Sequence, residues 1–202
     1  MNDWLLVIDM QLGFGHAASP WCTPGYEDCA KRIAQMVTHY GERVLFTRFV
    51  PSEMPEGAWR DYYAHWFFAL ETDNAWLWEV DPRWRDCPSF TSPRFAKWRE
   101  ASERLHPEAA ITLCGVATDC CVLGTAVEAV DAGRHVRLVE DACAARSVEL
   151  HRAAVAVMAD RAPMLTVTKT GLVLAGAGSP SPFNALSDEK APGGSDRLLL
   201  AR

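Results

Sequence analysis

Ala110-Ile111-Thr112-Leu113-Cys114-Gly115-Val116-Ala117-Thr118-Asp119-Cys120-Cys121-Val122 is the stretch whose reading decides the fold. Its first five residues read as a strand, Gly115 to Asp119 as a tight turn, and the following residues as a helix to about residue 132. Gly133 then stops that helix, as a glycine beyond a last helical turn does. Residues 135–139 read as the next strand, 147–160 as a helix and 164–168 as a last strand. Toward the N-terminus, Trp4-Leu5-Leu6-Val7-Ile8 is a short continuous apolar run ending at Asp9, which suits a strand covered on both faces. Tyr26 to Tyr40 carries apolar residues at helical spacing, and Arg43-Val44-Leu45-Phe46-Thr47 reads as a second strand. A third is expected within residues 87–91, with helical spacing again over 95–105. Strand alternating with helix predicts a doubly wound α/β domain: a mainly parallel, six-stranded sheet with helices on both faces, Rossmann-like in plan. Residues 57–84 resist this scheme, because their many aromatic side chains follow neither period.

Length and composition agree with one domain. The chain has 202 residues, of which 49% are hydrophobic and 23% charged, enough for a sizeable core. The domain is expected over residues 1–170, and the Gly-, Pro- and Ser-rich residues 171–202 are expected to form a surface tail. A net charge of −6, with no basic block, argues against nucleic acid or an anionic membrane as partner. No apolar run reaches the length of a membrane span, and the N-terminus has no cationic signal-peptide region, so a cytoplasmic protein is expected. Seven cysteines, without a C-x-x-C pair, do not suggest a disulfide framework or a zinc site. The six histidines show no metal-ligand spacing, so neither metal nor cofactor is expected.

In a parallel sheet of this kind ligands bind outside the carboxyl ends of the strands. Asp9 stands at one such end and the turn before Cys121 at another, so the two face one cleft if their strands are neighbours. Thr118-Asp119 resembles an N-terminal cap, which would place Cys120 and Cys121 in the first helical turn, with one of them facing the cleft. The helix end favours a thiolate there. Bringing a thiol from a pKa of ~8.5 to ~7 takes roughly 2 kcal/mol, however, and a helix end supplies about 0.3–1 kcal/mol. A nearby cation or a general base such as Asp9 has to supply the rest.

Leu5-Leu6-Val7-Ile8-Asp9-Met10-Gln11, then Gly115-Val116-Ala117-Thr118-Asp119-Cys120-Cys121-Val122, Thr125-Ala126 and Asp141-Ala142-Cys143-Ala144 together resemble the isochorismatase-like cysteine hydrolase family, in the right order and over roughly residues 3 to 168. The resemblance implies that family's hydrolase fold and an Asp–Lys–Cys triad, with Asp9 as base and Cys121, not Cys120, as nucleophile. It also implies a cis peptide at Val116–Ala117 and an oxyanion hole made by the backbone N–H groups of Ala117 and Cys121. The lysine is where the sequence departs. Ser92-Pro93-Arg94-Phe95-Ala96-Lys97-Trp98 puts Ser92 where the family has its lysine, so a displaced Lys97, a substitute Arg94 or loss of the cation all stay open. A Lys97 outside the site would be a solvated helix lysine.

The implied activity is cleavage of the C–N bond of a small amide through a thioester on Cys121, without a cofactor. Two alternatives stand beside it: hydrolysis of a vinyl ether by acid catalysis from Asp9, and an impaired homologue that binds a small molecule, for which Ser92 speaks. The family also implies a homo-oligomer, a dimer or tetramer. Phe14 and Trp21, in the loop after Asp9, are the candidates to line a substrate pocket, whereas residues 59–84 read as core or subunit interface. Cys114, Cys120 and Cys143 read as packing, and Asp119 as a cap or turn anchor. The Asp-x-His pattern of zinc nicotinamidases is absent after the second strand, where Arg48-Phe49-Val50-Pro51-Ser52 stands.

Overall fold

A computed structural model describes residues 3–176 of the chain. Six strands form one parallel sheet: β1 (Asp3–Ile8), β2 (Val44–Phe49), β3 (Ser89–Ser92), β4 (Ala110–Val116), β5 (Val136–Ala144) and β6 (Leu165–Thr168), in the spatial order β3-β2-β1-β4-β5-β6. The chain first winds outward from β1 to β3, then crosses back to β4 and winds outward the other way. That reversal opens a crevice between the carboxyl ends of β1 and β4. The register pairs Ile8 with Gly115, so Asp9 and the turn before Cys121 leave the sheet side by side.

The α-helices of the described residues are α1 (Leu12–Gly15), α2 (Tyr26–Tyr40), α3 (Ala58–His65), α4 (Trp98–Ser102), α5 (Leu123–Asp131), α6 (Val148–Ala159) and α7 (Thr170–Leu174). α2 packs on β1, β4 and β5 together with α7, while α4, α5 and α6 pack on one another and, through α5 and α6, on β5 and β6. Leu5, Leu6, Val7 and Ile8 are wholly buried, as a central strand covered on both faces demands. Ser147 caps α6 by accepting the Leu150 N–H. Among the described residues no helix is long and apolar enough to cross a membrane.

Several boundaries differ from the sequence expectation. β5 runs on to Ala144 because its pairing with β4 continues to the end of that strand, and its Asp141 is satisfied there: it accepts from the Thr170 N–H at 2.8 Å and lies 3.5 Å from Arg32. The helix expected over 95–105 shrinks to α4, because residues 93–97 form a turn. Residues 57–84 combine α3 with three 3₁₀ turns, Phe67–Leu70, Thr72–Trp78 and Pro82–Trp84. Mixing a period of three with one of 3.6 removes any single hydrophobic rhythm. Residues 171–174 of the expected tail belong to α7, and 177–202 lie outside the described residues.

Gly115 makes the crevice possible. Its φ is +117°, and a Cβ built there would stand 2.2 Å from the Ile8 carbonyl oxygen. No side chain fits between β4 and β1 at this point. Gly133 also has positive φ, +77°, but nothing lies within 4 Å of its missing Cβ. In urea denaturation, Gly115→Ala is therefore expected to cost about 3 kcal/mol or more, through backbone displacement as well as strain. Gly133→Ala, which meets conformational strain alone, should cost about 1–2 kcal/mol.

Candidate active site

Asp9 follows directly on β1 and has a φ of +49°, rare for a residue with a side chain. It is wholly buried. Thr47 of β2 holds it twice: the Asp9 N–H donates to the Thr47 hydroxyl at 3.1 Å, and that hydroxyl donates to Asp9 Oδ1 at 2.5 Å. Asp9 Oδ2 makes no hydrogen bond and faces Lys97 Nζ at 3.2 Å. The contact is an ion pair without hydrogen-bond alignment.

Lys97 is wholly buried, so it is no solvated helix lysine. It occupies the N-cap position of α4, and the turn from Ser92 folds it back over the ends of β1 and β2. Its ammonium donates to the Arg94 carbonyl and lies 4.9 Å from the centre of the Phe49 ring. Ser92 serves the turn instead, accepting the Arg94 N–H and donating to Glu100. The Arg94 guanidinium is held by Glu100 at 2.9 Å. Of the three possibilities left open by the sequence, the geometry puts Lys97 beside Asp9.

The Val116–Ala117 peptide is cis, and residues Thr118–Val122 form a π turn that leads into α5. Ala117, not Thr118 or Asp119, stands at its N-cap, and no side chain caps it. Thr118 Oγ1 instead lies 2.9 Å from His151 Nδ1. The expected capping role of Asp119 is thus corrected: its Oδ1 is buried without a hydrogen-bond partner, and its side chain lines the cavity described below. Thr125 of α5 ties the two halves of the site together, accepting the Lys97 N–H at 3.0 Å and donating to the Cys121 carbonyl at 2.7 Å.

A cavity of about 280 Å³ opens above these groups. Its walls are the rings of Phe14, Trp21, Phe49, Tyr62, Trp66 and Phe95, and Asp119, Cys120, Cys121 and Arg146 also border it. Phe14 stacks on Trp21 with centroids 6.1 Å apart. Tyr62 and Trp66 come from the segment read as core or interface, which in fact divides. Trp78 and Trp84 are buried, Trp76 and Phe67 lie largely exposed, and Tyr62 and Trp66 face the cavity. Asp9 and Lys97 do not border it but lie close enough for their charges to act on both thiols.

Both cysteines reach the cavity, which corrects the reading of Cys120 as packing and the expectation that only one thiol can face it. The wider π turn leaves successive side chains closer in direction than an α turn does. Cys114 and Cys143 are buried in the core. The Cys120 and Cys121 thiols interact. The Cys121 thiol is pushed well up by the hydrogen bond to Cys120, by burial and by the Asp9 carboxylate, with Lys97 opposing. Cys120 is shifted down, chiefly because the Cys121 thiol stabilises its anion. A helix-end thiolate standing ready on Cys121 is therefore not what this arrangement favours.

Gln11, wholly buried, fixes one cavity wall to the sheet. Its amide accepts the Phe49 N–H at 2.8 Å and donates to the carbonyls of Phe49 and Trp78 at 2.9 and 2.7 Å. Thr47, Thr125 and Gln11 had no assigned role from sequence, because a hydroxyl or amide carries no signal until its partners, here 38 to 67 residues away for Thr47 and Gln11, are in place. Among the described residues, no group of three or more His, Cys, Asp or Glu is arranged to hold a metal ion.

The family model for the isochorismatase domain matches residues 3–170. Among solved structures, the chain is similar to a cysteine hydrolase from Pseudomonas syringae pv. phaseolicola 1448A, with a TM-score of 0.73 and 18% identity over 86% of this chain and 91% of that one. An isochorismatase-like hydrolase from Alkaliphilus metalliredigens superposes with a TM-score of 0.68 at 16% identity, covering 88% of this chain and 100% of the other. A nicotinamidase from Bacillus subtilis gives 0.64 at 18% identity, covering 84% and 100%. At such identities the likeness is one of fold. No curated protein sequence matches the chain.

The order of thiol reactivity is open to direct measurement. In brief iodoacetamide treatment followed by peptide mapping, Cys120 is expected to be alkylated at lower pH than Cys121. Cys120→Ala removes the interaction that raises Cys121, so the Cys121 labelling midpoint should move to lower pH. A midpoint that stays fixed would mean that the two thiols titrate independently.

Proposed function

Since the chain belongs to the isochorismatase domain family, we propose that this hydrolase cleaves the C–N bond of a small amide through a thioester on Cys121. The observation that carries the reading is the buried Asp9–Lys97 pair, 3.2 Å apart, behind a thiol that opens onto an aromatic-walled cavity. An impaired homologue loses its support, which was a missing cation at Ser92.

Electrostatics favours proton transfer over a standing thiolate. While Asp9 is charged it opposes an anion on Cys121, and Lys97 favours one. When Asp9 takes the Cys121 proton the opposing charge disappears, and the thiolate is left with the lysine alone. The sulfur then attacks the amide carbonyl carbon, and the carbonyl oxygen becomes an oxyanion received by the N–H groups of Ala117 and Cys121. As the tetrahedral intermediate collapses, the C–N bond breaks and the nitrogen leaves with the proton from Asp9. Asp9, charged again, takes a proton from water as the hydroxide adds to the thioester. Collapse returns that proton to sulfur and releases the carboxylic acid. The flat rings of Phe14 and Trp21 would seat an apolar, planar substrate body.

The test is ammonia release from a panel of primary amides, with hydroxylamine added to divert the thioester to a hydroxamate. The expected result is turnover that Cys121→Ala abolishes and Asp9→Asn lowers by about 10³-fold or more. Hydroxamate formation that persists in Cys121→Ala would exclude the thioester. Lys97→Met leaves Asp9 buried and unpaired and should destabilise the fold by about 3–5 kcal/mol. The double variant Asp9→Asn/Lys97→Met is expected to regain most of that stability and none of the activity.

A further inference from the structure

We propose that Thr118 and His151 are positioning residues for the Cys121 thiol: their contact holds the turn Thr118–Val122 in its π form. The inference rests on Cys121 as the attacking group of the amidase reading. Two backbone bonds, each reaching five residues back, define that form. The Val122 N–H donates to the Ala117 carbonyl at 3.2 Å, and the Leu123 N–H donates to the Thr118 carbonyl. A π turn is a rare alternative to the α turn that the same residues could make, so contacts beyond its own backbone have to hold it.

The two ends of the turn are pinned to other elements. At the far end Thr125 donates to the Cys121 carbonyl at 2.7 Å and accepts the Lys97 N–H at 3.0 Å. At the near end Thr118 is wholly buried, and its hydroxyl lies 2.9 Å from Nδ1 of His151, in the first turn of α6. α6 packs against the π turn along its side, and Ser147 fixes the start of α6 by accepting the Leu150 N–H. A threonine at the head of a helical turn ordinarily spends its hydroxyl on nearby backbone. Here the hydroxyl goes to a partner 33 residues away, and no side chain caps the turn. Because a hydroxyl both donates and accepts, the contact is made with either imidazole tautomer. Without it the Thr118 end is free to tighten, and the Val122 N–H can return to the Thr118 carbonyl as in an α turn. That change of pitch rotates residues 119–121 about the helix axis and alters how Cys121 stands to Asp9 and to the cavity.

Four single variants separate positioning from plain support. Thr118→Val and His151→Leu remove the contact, whereas Thr118→Ser keeps the hydroxyl and His151→Asn keeps a polar atom on Cγ, where Nδ1 is attached. With primary amides, the first two are expected to lower kcat by about 10²-fold, as a displaced nucleophile does, with KM within about twofold. The two conservative variants should recover most of that loss. Thr118→Val/His151→Leu should be no slower than the slower single variant, since both remove one interaction. Iodoacetamide labelling at one fixed pH supplies a readout that needs no turnover: the ratio of label on Cys121 to label on Cys120 should change severalfold in Thr118→Val and His151→Leu and return in the conservative variants. If no amide is turned over, the amidase reading falls and the labelling ratio alone decides the positioning role. An unchanged kcat and labelling ratio in Thr118→Val, with a lower melting temperature only, would overturn the inference, as would losses that multiply in the double variant.

Discussion

Two opposite charges, Asp9 and Lys97, sit 3.2 Å apart with no exposure to solvent, and most of the site is arranged around that fact. A charge removed from water is costly unless a partner and hydrogen bonds replace the solvent. The replacements come from separate parts of the chain. β1 delivers the carboxylate, Thr47 of β2 satisfies one of its oxygens, and the turn after β3 supplies both the ammonium and the Arg94 carbonyl that receives it. Phe49 closes the pair with a ring face. Burial of this kind adds little to stability compared with apolar packing. On the proposed mechanism, its retention is understood through the proton that Asp9 takes.

Within the proposed mechanism, the thiols give that proton transfer its direction. Cys121 is raised by its neighbour, by burial and by Asp9, with Lys97 opposing. The reactivity in that mechanism rests in a thiol beside its base rather than in an exposed nucleophile. Cys120 is more accessible and is shifted the other way.

How much of this was legible in the sequence depends on whether the governing contact is local. The apolar runs at Leu5–Ile8 and 110–114, with glycine at 115 and 133, carry the strand and helix assignments because backbone period and side-chain pattern coincide there. Asp9 and the Cys121 turn stand together because their strands are neighbours, which a doubly wound topology makes expected. The position of Lys97 was hidden, since it depends on how the turn after Ser92 folds back and not on spacing along the chain. Cys120 and Asp119 were misplaced for one reason: an α turn was assumed where a π turn forms. Arg146 borders the cavity beside Trp66, eighty positions earlier, a contact that no spacing along the chain announces.

Gln11 joins two things that could have been independent. It lies two residues after the base, yet its one amide group grips β2 at Phe49 and the aromatic segment at Trp78. The wall that shapes the cavity and the strand end that carries Asp9 are consequently one mechanical piece. If Asp9 is the base proposed above, a substrate that presses the wall outward strains its seat, so poor fit is felt as slow chemistry and not merely as weak attachment. Changes of substrate range in a protein built this way should arise by exchanging individual rings, while the frame that carries them stays in place.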